Sequence, residues 1–340
     1  MRTVAKKIGE IEAAAIAGKE EFESTVAAGG QPVVLRGLCA SWPVVTAALE
    51  SDASIFDYLR AMDTGTKAEA FVGPAEIAGR YNYGDGPDGF NFTREKMSVS
   101  DVIKQIVDPP AAPVRSVYMG SVTADEFLSG FSRSNPLDIP PSTAAPRIWL
   151  GSASQVACHF DTFDNIACVV AGQRRFTLYP PQAIGDLYVG PIDKTMAGQP
   201  NSLAVGSPPG DPRYPRFEAL RGEAIEVELL PGDALYLPKL WWHQVEALAP
   251  FNVLVNYWWD GFASGPDAPY TTMLLAMIAI AERPEHERAA WRAFFDHYVF
   301  RPEGHPLAHL PEARHGILGA LKNGNYGRIR ASVMQRLRNI

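Results

Sequence analysis

The 340 residues are 46% hydrophobic, 20% charged and 10% aromatic, the composition of an ordinary globular protein with room for an enzyme-sized core, and they exclude a disordered or fibrous chain. With 31 basic against 38 acidic side chains, the net charge of -7 argues against a general electrostatic grip on nucleic acid or an anionic membrane. Three cysteines, Cys39, Cys158 and Cys168, form no CxxC pair, which points away from a disulfide framework or zinc ribbon and towards a reducing cytoplasm.

The opening stretch, MRTVAKKIGEIEAAAIAGKEEFE, carries acids throughout and lacks the apolar run of a signal peptide; no segment approaches the roughly 20 apolar residues of a membrane span. Residues 3–28, rich in Ala, Glu and Lys, read as helix up to the Gly29-Gly30 breaker. Pro32 to Leu35 reads as a strand, and Ala47 to Met62 as helix with Ile55, Leu59 and Met62 at helical spacing. Residues 79–92, GRYNYGDGPDGFNF, read as an ordered aromatic loop of the kind that borders a site, with Tyr81, Tyr83, Asn91 and Phe92 as a candidate substrate wall.

From about 114 to 259 the pattern is a series of short β-rich runs between Gly and Pro turns, which predicts a sandwich or barrel. The Pro/Gly-rich segment 190–216 interrupts the series and is expected to be a long hairpin insertion over the barrel mouth. After Gly265 the reading is helical, ending in the apolar stripe Ile329, Val333 and Leu337. The expected organisation is a domain over 1–265, its barrel core at about 114–262, followed by a helical region over 266–340 that packs on the barrel or forms a dimer seam.

Two pieces carry chemistry. In Cys158-His159-Phe160-Asp161, a strand would put His159 and Asp161 on one face, within reach of one ion. A third ligand must come from another strand, and His243 follows a Pro-Gly-Asp turn and an apolar run that would carry it back across the sheet. Two histidines and a carboxylate suit Fe(II) with open positions, and zinc can bind the same set. A lone HxD is weak, since a buried histidine paired with a nearby aspartate is the ordinary alternative. His286, His297, His305, His309 and His315 show no matching carboxylate spacing and read as surface or packing residues.

The joint pattern is more specific. His159-x-Asp161, Gly172 with Arg174-Arg175-Phe-Thr-Leu-Tyr-Pro-Pro, Pro231-Gly232-Asp233, Pro238-x-x-Trp241-Trp242-His243 and Asn252-Val-Leu-Val-Asn256-Tyr-Trp258 together resemble the cupin-like (cupin-8) branch of the jumonji-C oxygenases. Within it the nearest pattern is that of the asparaginyl hydroxylases acting on hypoxia-inducible factor. With the early PVVLRG and SWP pieces the likeness covers roughly residues 30 to 262.

The resemblance implies a mostly β fold, a double-stranded β-helix (jelly-roll, cupin barrel) with flanking helices. It implies Fe(II) on His159, Asp161 and His243, with 2-oxoglutarate as co-substrate and dioxygen as oxidant. Arg174 stands where the family has a lysine for the distal carboxylate of 2-oxoglutarate, and an arginine could grip it bidentately. Tyr118, Asn165 and Asn256 match co-substrate residues, Trp258 a substrate-side tryptophan; Val156 replaces a family threonine. The implied activity is C–H hydroxylation, first of a protein or peptide side chain, with a small molecule or N-methyl-lysine as alternatives, and a homodimer is implied as well. A non-catalytic metal-binding cupin is the competing class, and the co-substrate residues argue against it.

Overall fold

The computed structural model describes residues 8–84, 89–109, 115–193, 195–196, 198–260, 267–322 and 324–338. The chain divides into two compact units, Met1–Asp260 and Gly261–Ile340.

Among the described residues the first unit holds fourteen strands. In chain order they are β1 (Gly9–Glu12), β2 (Val33–Arg36), β3 (Ala68–Gly73), β4 (Arg80–Tyr81), β5 (Thr93–Met97), β6 (Ser116–Thr123), β7 (Pro146–Gly151), β8 (Ser154–His159), β9 (Asp164–Ala171), β10 (Arg174–Tyr179), β11 (Ile225–Leu229), β12 (Ala234–Leu237), β13 (Trp242–Ala247) and β14 (Asn252–Trp259). One sheet runs β1-β2-β12-β9-β14-β7-β6-β3-β5, the other β11-β10-β13-β8-β4. From β7 onwards successive strands alternate between the sheets, except that β10 and β11 pair within the smaller one, giving 7-14-9-12 against 8-13-10-11, the double-stranded β-helix expected from the likeness to cupins.

Strand periodicity explains how one sheet serves two cores. On β9, Ile166, Cys168 and Val170 face a core shared with Phe22, Val44, Ile55, Leu59, Val102 and Ile103 from the flanking helices. The intervening Ala167 and Val169 face Phe176, Leu178, Val227, Leu235 and Leu254 between the two sheets. A strand buried on both faces reads as a continuous apolar run, which is how NIACVVA appears in the sequence.

The chain turns out of β9 at Gly172, whose φ of 75° lies in the left-handed region; a Cβ there would collide with Asn252 Oδ1 and meet the Phe251 carbonyl at 2.6 Å. The segment between the paired strands β10 and β11 contains the predicted insertion.

The N-terminal region departs from expectation. Residues 3–28 were expected to be one helix; the described part holds β1, pairing parallel to β2, and only short helical turns from Ala13 to Gly29. Propensity in an Ala/Glu/Lys segment is worth tenths of a kcal/mol per residue, and the gain from extending the sheet edge and burying Phe22 and Val26 overrides it. The helix expected over Ala47 to Met62 is two, Pro43–Glu50 and Asp52–Met62, broken at Ser51, whose extended backbone and hydroxyl cap the second. Strands β3 and β5 extend the larger sheet beyond what was read from the sequence.

The second unit is helical, with helices Pro269–Ile280, Glu285–Phe295 and Asn325–Arg338. Asp267 ties the last helix through Arg330 at 3.1 Å and through Tyr326. His305 and His315 stack at 4.3 Å and each bonds a carbonyl, consistent with packing roles. No helix among the described residues is long and apolar enough to cross a membrane.

Candidate metal centre and co-substrate cavity

β8 and β13 pair so that His159 and His243 lie directly opposite each other, their ring centroids 4.4 Å apart. β8 ends at His159, so Asp161 does not share a strand face with it as the sequence suggested. A loop pairing holds it instead: the amide of Leu240, on the turn entering β13, donates to the Asp161 carbonyl at 2.8 Å. Asp161 Oδ2 then stands 3.7 Å from His243 Nε2, and one ligand atom from each of the three residues lies within 4.8 Å of the others.

Both imidazoles are oriented by backbone. His159 Nδ1 bonds the Ala157 carbonyl at 2.8 Å and His243 Nδ1 the Trp241 carbonyl at 2.9 Å. A carbonyl only accepts, so each Nδ1 carries the proton and each Nε2 keeps its lone pair for a metal. Burial, and then the neighbouring His159, push His243 down to about 3, which keeps the ring neutral. Burial pushes the Asp161 carboxyl up, opposed by His159 and by the Trp258 indole. Trp258 Nε1 is buried and makes no hydrogen bond of ordinary geometry. These are the ligand types and the orientation that hold a divalent iron on one face.

The ligands line one end of a cavity of about 200 Å³ whose other walls include Tyr118, Trp149, Val156, Asn165, Arg174, Met196, Asn256 and Trp258. The structure therefore brings Arg174, Tyr118, Asn165, Asn256 and Trp258 together with the three ligands. The two asparagines are satisfied in a chain: Trp149 Nε1 donates to Asn256 Oδ1 at 2.6 Å and Asn256 Nδ2 to Asn165 Oδ1 at 3.1 Å.

Arg174 is 3% exposed and its Nε has no hydrogen-bond partner. Burial lowers its pKa to about 10, with Tyr118 opposing, so it stays charged at neutral pH. Among the described residues no carboxylate pairs with it. Its neighbour Arg175 faces the other way and pairs with Glu228 at 2.6 Å. A cation left alone in a dry pocket is costly unless an anion completes it. The cavity thus fits a small carboxylate at its Arg174 end and a metal at its His-Asp-His end.

Tyr83 and Asn91, expected at a substrate wall, do not line this cavity. Asn91 pins its own loop, accepting from the Asn82 amide at 3.0 Å and donating to the Arg80 carbonyl at 2.7 Å, and Tyr83 stacks on Phe90. Tyr81 of the same loop does line it, with Phe71 beside it and Phe92 packed behind. Residues 85–88 lie outside the described residues, Asp85 and Asp88 among them. Met196 reaches the cavity from the insertion, its carbonyl accepting from Arg94 at 3.1 Å. Trp149 and Met196 were not singled out in the sequence. Period-2 alternation through RIWLG, with Ile148 and Leu150 buried in the helix-side core, was the signal that could have turned Trp149 inward.

Residues 19–265 match the model of the cupin-like domain. The chain belongs to the cupin-like domain family. Relatives include HSPB1-associated protein 1 of Rattus norvegicus, 33% identical over 147 residues, which are 42% of this chain and 30% of that protein. Lysine-specific demethylase JMJ31 of Arabidopsis thaliana is 35% identical over 121 residues, 35% of this chain and 21% of that one. Jumonji C domain-containing protein 5 of Drosophila melanogaster is 25% identical over 255 residues, 71% and 57% of the two chains. This cupin-like protein thus spans under two thirds of each relative.

Proposed function

We propose that this cupin-like protein is an Fe(II)- and 2-oxoglutarate-dependent dioxygenase that hydroxylates an unactivated C–H bond of a protein or peptide side chain. The observation that carries the proposal is Arg174, a buried guanidinium without a counter-ion, in the same cavity as three oriented metal ligands. His159, Asp161 and His243 would hold the iron. Arg174 would take the distal carboxylate of 2-oxoglutarate, with Tyr118 beside it and Asn165 and Asn256 on the wall.

Iron with 2-oxoglutarate and dioxygen supplies an oxidant able to take a hydrogen atom from carbon, with succinate and carbon dioxide as co-products. The chain's own residues do the rest. The Ala157 and Trp241 carbonyls fix the imidazole tautomers, and Tyr118, Trp149 and Trp258 give the cavity an aromatic wall. No side-chain general base is required.

Anaerobic Fe(II) plus 2-oxoglutarate should give a weak visible charge-transfer band, and candidate peptides should stimulate succinate formation in air. No band and no succinate with excess iron would defeat the proposal. We also propose a homodimer through the C-terminal helices, supported by the exposed Met273, Leu274, Met277, Ile278, Val333 and Leu337.

A further inference from the structure

Arg147 and Trp149 are two residues apart on β7 and share its barrel-facing side, where Arg147 stands opposite Asn256 of β14. The Arg147 guanidinium donates from Nε to Ser121 Oγ at 2.8 Å and from Nη2 to the Ser121 carbonyl at 2.7 Å, and lies 5.8 Å from the centre of the Trp258 ring. Ser121 and Trp258 both line the cavity, so Arg147 is held directly against two of its wall residues. A bulge between Met119 and Val122 delivers Ser121, which adopts a φ of 57° that non-glycine residues seldom take.

These partners position the guanidinium but do not neutralise it. Among the described residues no carboxylate pairs with Arg147 and its Nη1 makes no hydrogen bond, whereas Arg36, Arg175, Arg213 and Arg216 each meet an acid within 3.1 Å. With Arg174 reserved for the co-substrate, Arg147 is a second cation, fixed in place against the cavity wall.

We infer that Arg147 is the substrate anchor of the oxygenase proposed above, on which reading it rests, and that the substrate carries a carboxylate close to the carbon that is oxidised. An acidic peptide side chain and a small free acid share this chemistry. Arg147 holds the carboxylate through Nη1 while Trp258 covers the bound group, and the bulge at Ser121 keeps the guanidinium from swinging out.

The test uses the full chain, loaded anaerobically with Fe(II) and saturating 2-oxoglutarate so that Arg174 is occupied, and follows tryptophan fluorescence. Four probes are titrated: a peptide with a central glutamate, its glutamine counterpart, N-acetyl-glutamate and N-acetyl-glutamine. The expected result is that at least one glutamate probe binds about tenfold or more tightly than its amide partner. Arg147→Gln should erase the preference and Arg147→Lys keep part of it, both with the visible iron band intact. Tighter binding of the peptide form assigns a protein substrate; tighter binding of N-acetyl-glutamate assigns a small acid. Equal affinity for acid and amide, no binding of either glutamate probe, or a preference that survives Arg147→Gln overturns the inference. A normal band without carboxylate preference removes the Arg147 assignment alone, whereas no band in the wild type removes the oxygenase reading and this inference with it.

Discussion

A guanidinium buried among apolar walls weakens the ligand-free protein, and Arg174 should show it in two ways. An unpaired buried charge carries a desolvation penalty that an apolar residue of similar length does not. Arg174→Met should therefore leave the melting temperature of the ligand-free protein unchanged or raised, and should abolish the stabilisation that 2-oxoglutarate gives the wild type. A variant that melts well below the wild type would mean that Arg174 has a structural partner. Trp149→Phe removes the donor to Asn256 Oδ1 and should cost about 1 to 3 kcal/mol in stability by leaving that acceptor unpaired, as read from urea unfolding. At this scale the metal ligands were legible because the HxD spacing and the later His243 are local signals set in recognisable turns. Trp149, Met196 and Arg147 were not, because a strand aromatic or a loop methionine announces its direction only once register is known.

Two turn positions decide whether the elements around the site form. Gly172→Ala would place a methyl group against the Phe251 carbonyl in a left-handed backbone, and should destabilise by about 2 kcal/mol or more. Ser51→Ala removes the cap that lets the helix Asp52–Met62 start afresh, and should cost about 1 kcal/mol with the site unaffected. Chemical unfolding of both variants checks the order. Most barrel strands were readable from the sequence because they are short β-branched or aromatic runs between Gly and Pro turns. The N-terminal segment was not, since its helix-forming residues are outweighed by pairing of Gly9–Glu12 with Val33–Arg36, a tertiary gain that no local pattern reveals. Likewise β13, with His and Gln in place of β-branched residues, becomes a strand because its partners β8 and β10 flank it.

Across the whole molecule, the second unit leaves large apolar side chains exposed, Ile278 at 84% being the most open. Light scattering on the full chain should give twice the monomer mass, and Ile278→Glu should halve it without altering the barrel; a wild-type monomer would remove the dimer. The first unit is organised so that a helix-backed sheet and a smaller sheet close on one cavity lined by His159, Asp161 and His243 and by the buried Arg174. The measurement that tests this account most directly is anaerobic addition of Fe(II) and 2-oxoglutarate to the wild type, His159→Ala and Arg174→Met proteins. The account predicts a visible band in the wild type, none in His159→Ala, and in Arg174→Met a band recovered only at 2-oxoglutarate concentrations about a hundredfold higher or more. A wild type without the band, or a band of unchanged strength in His159→Ala, would contradict it.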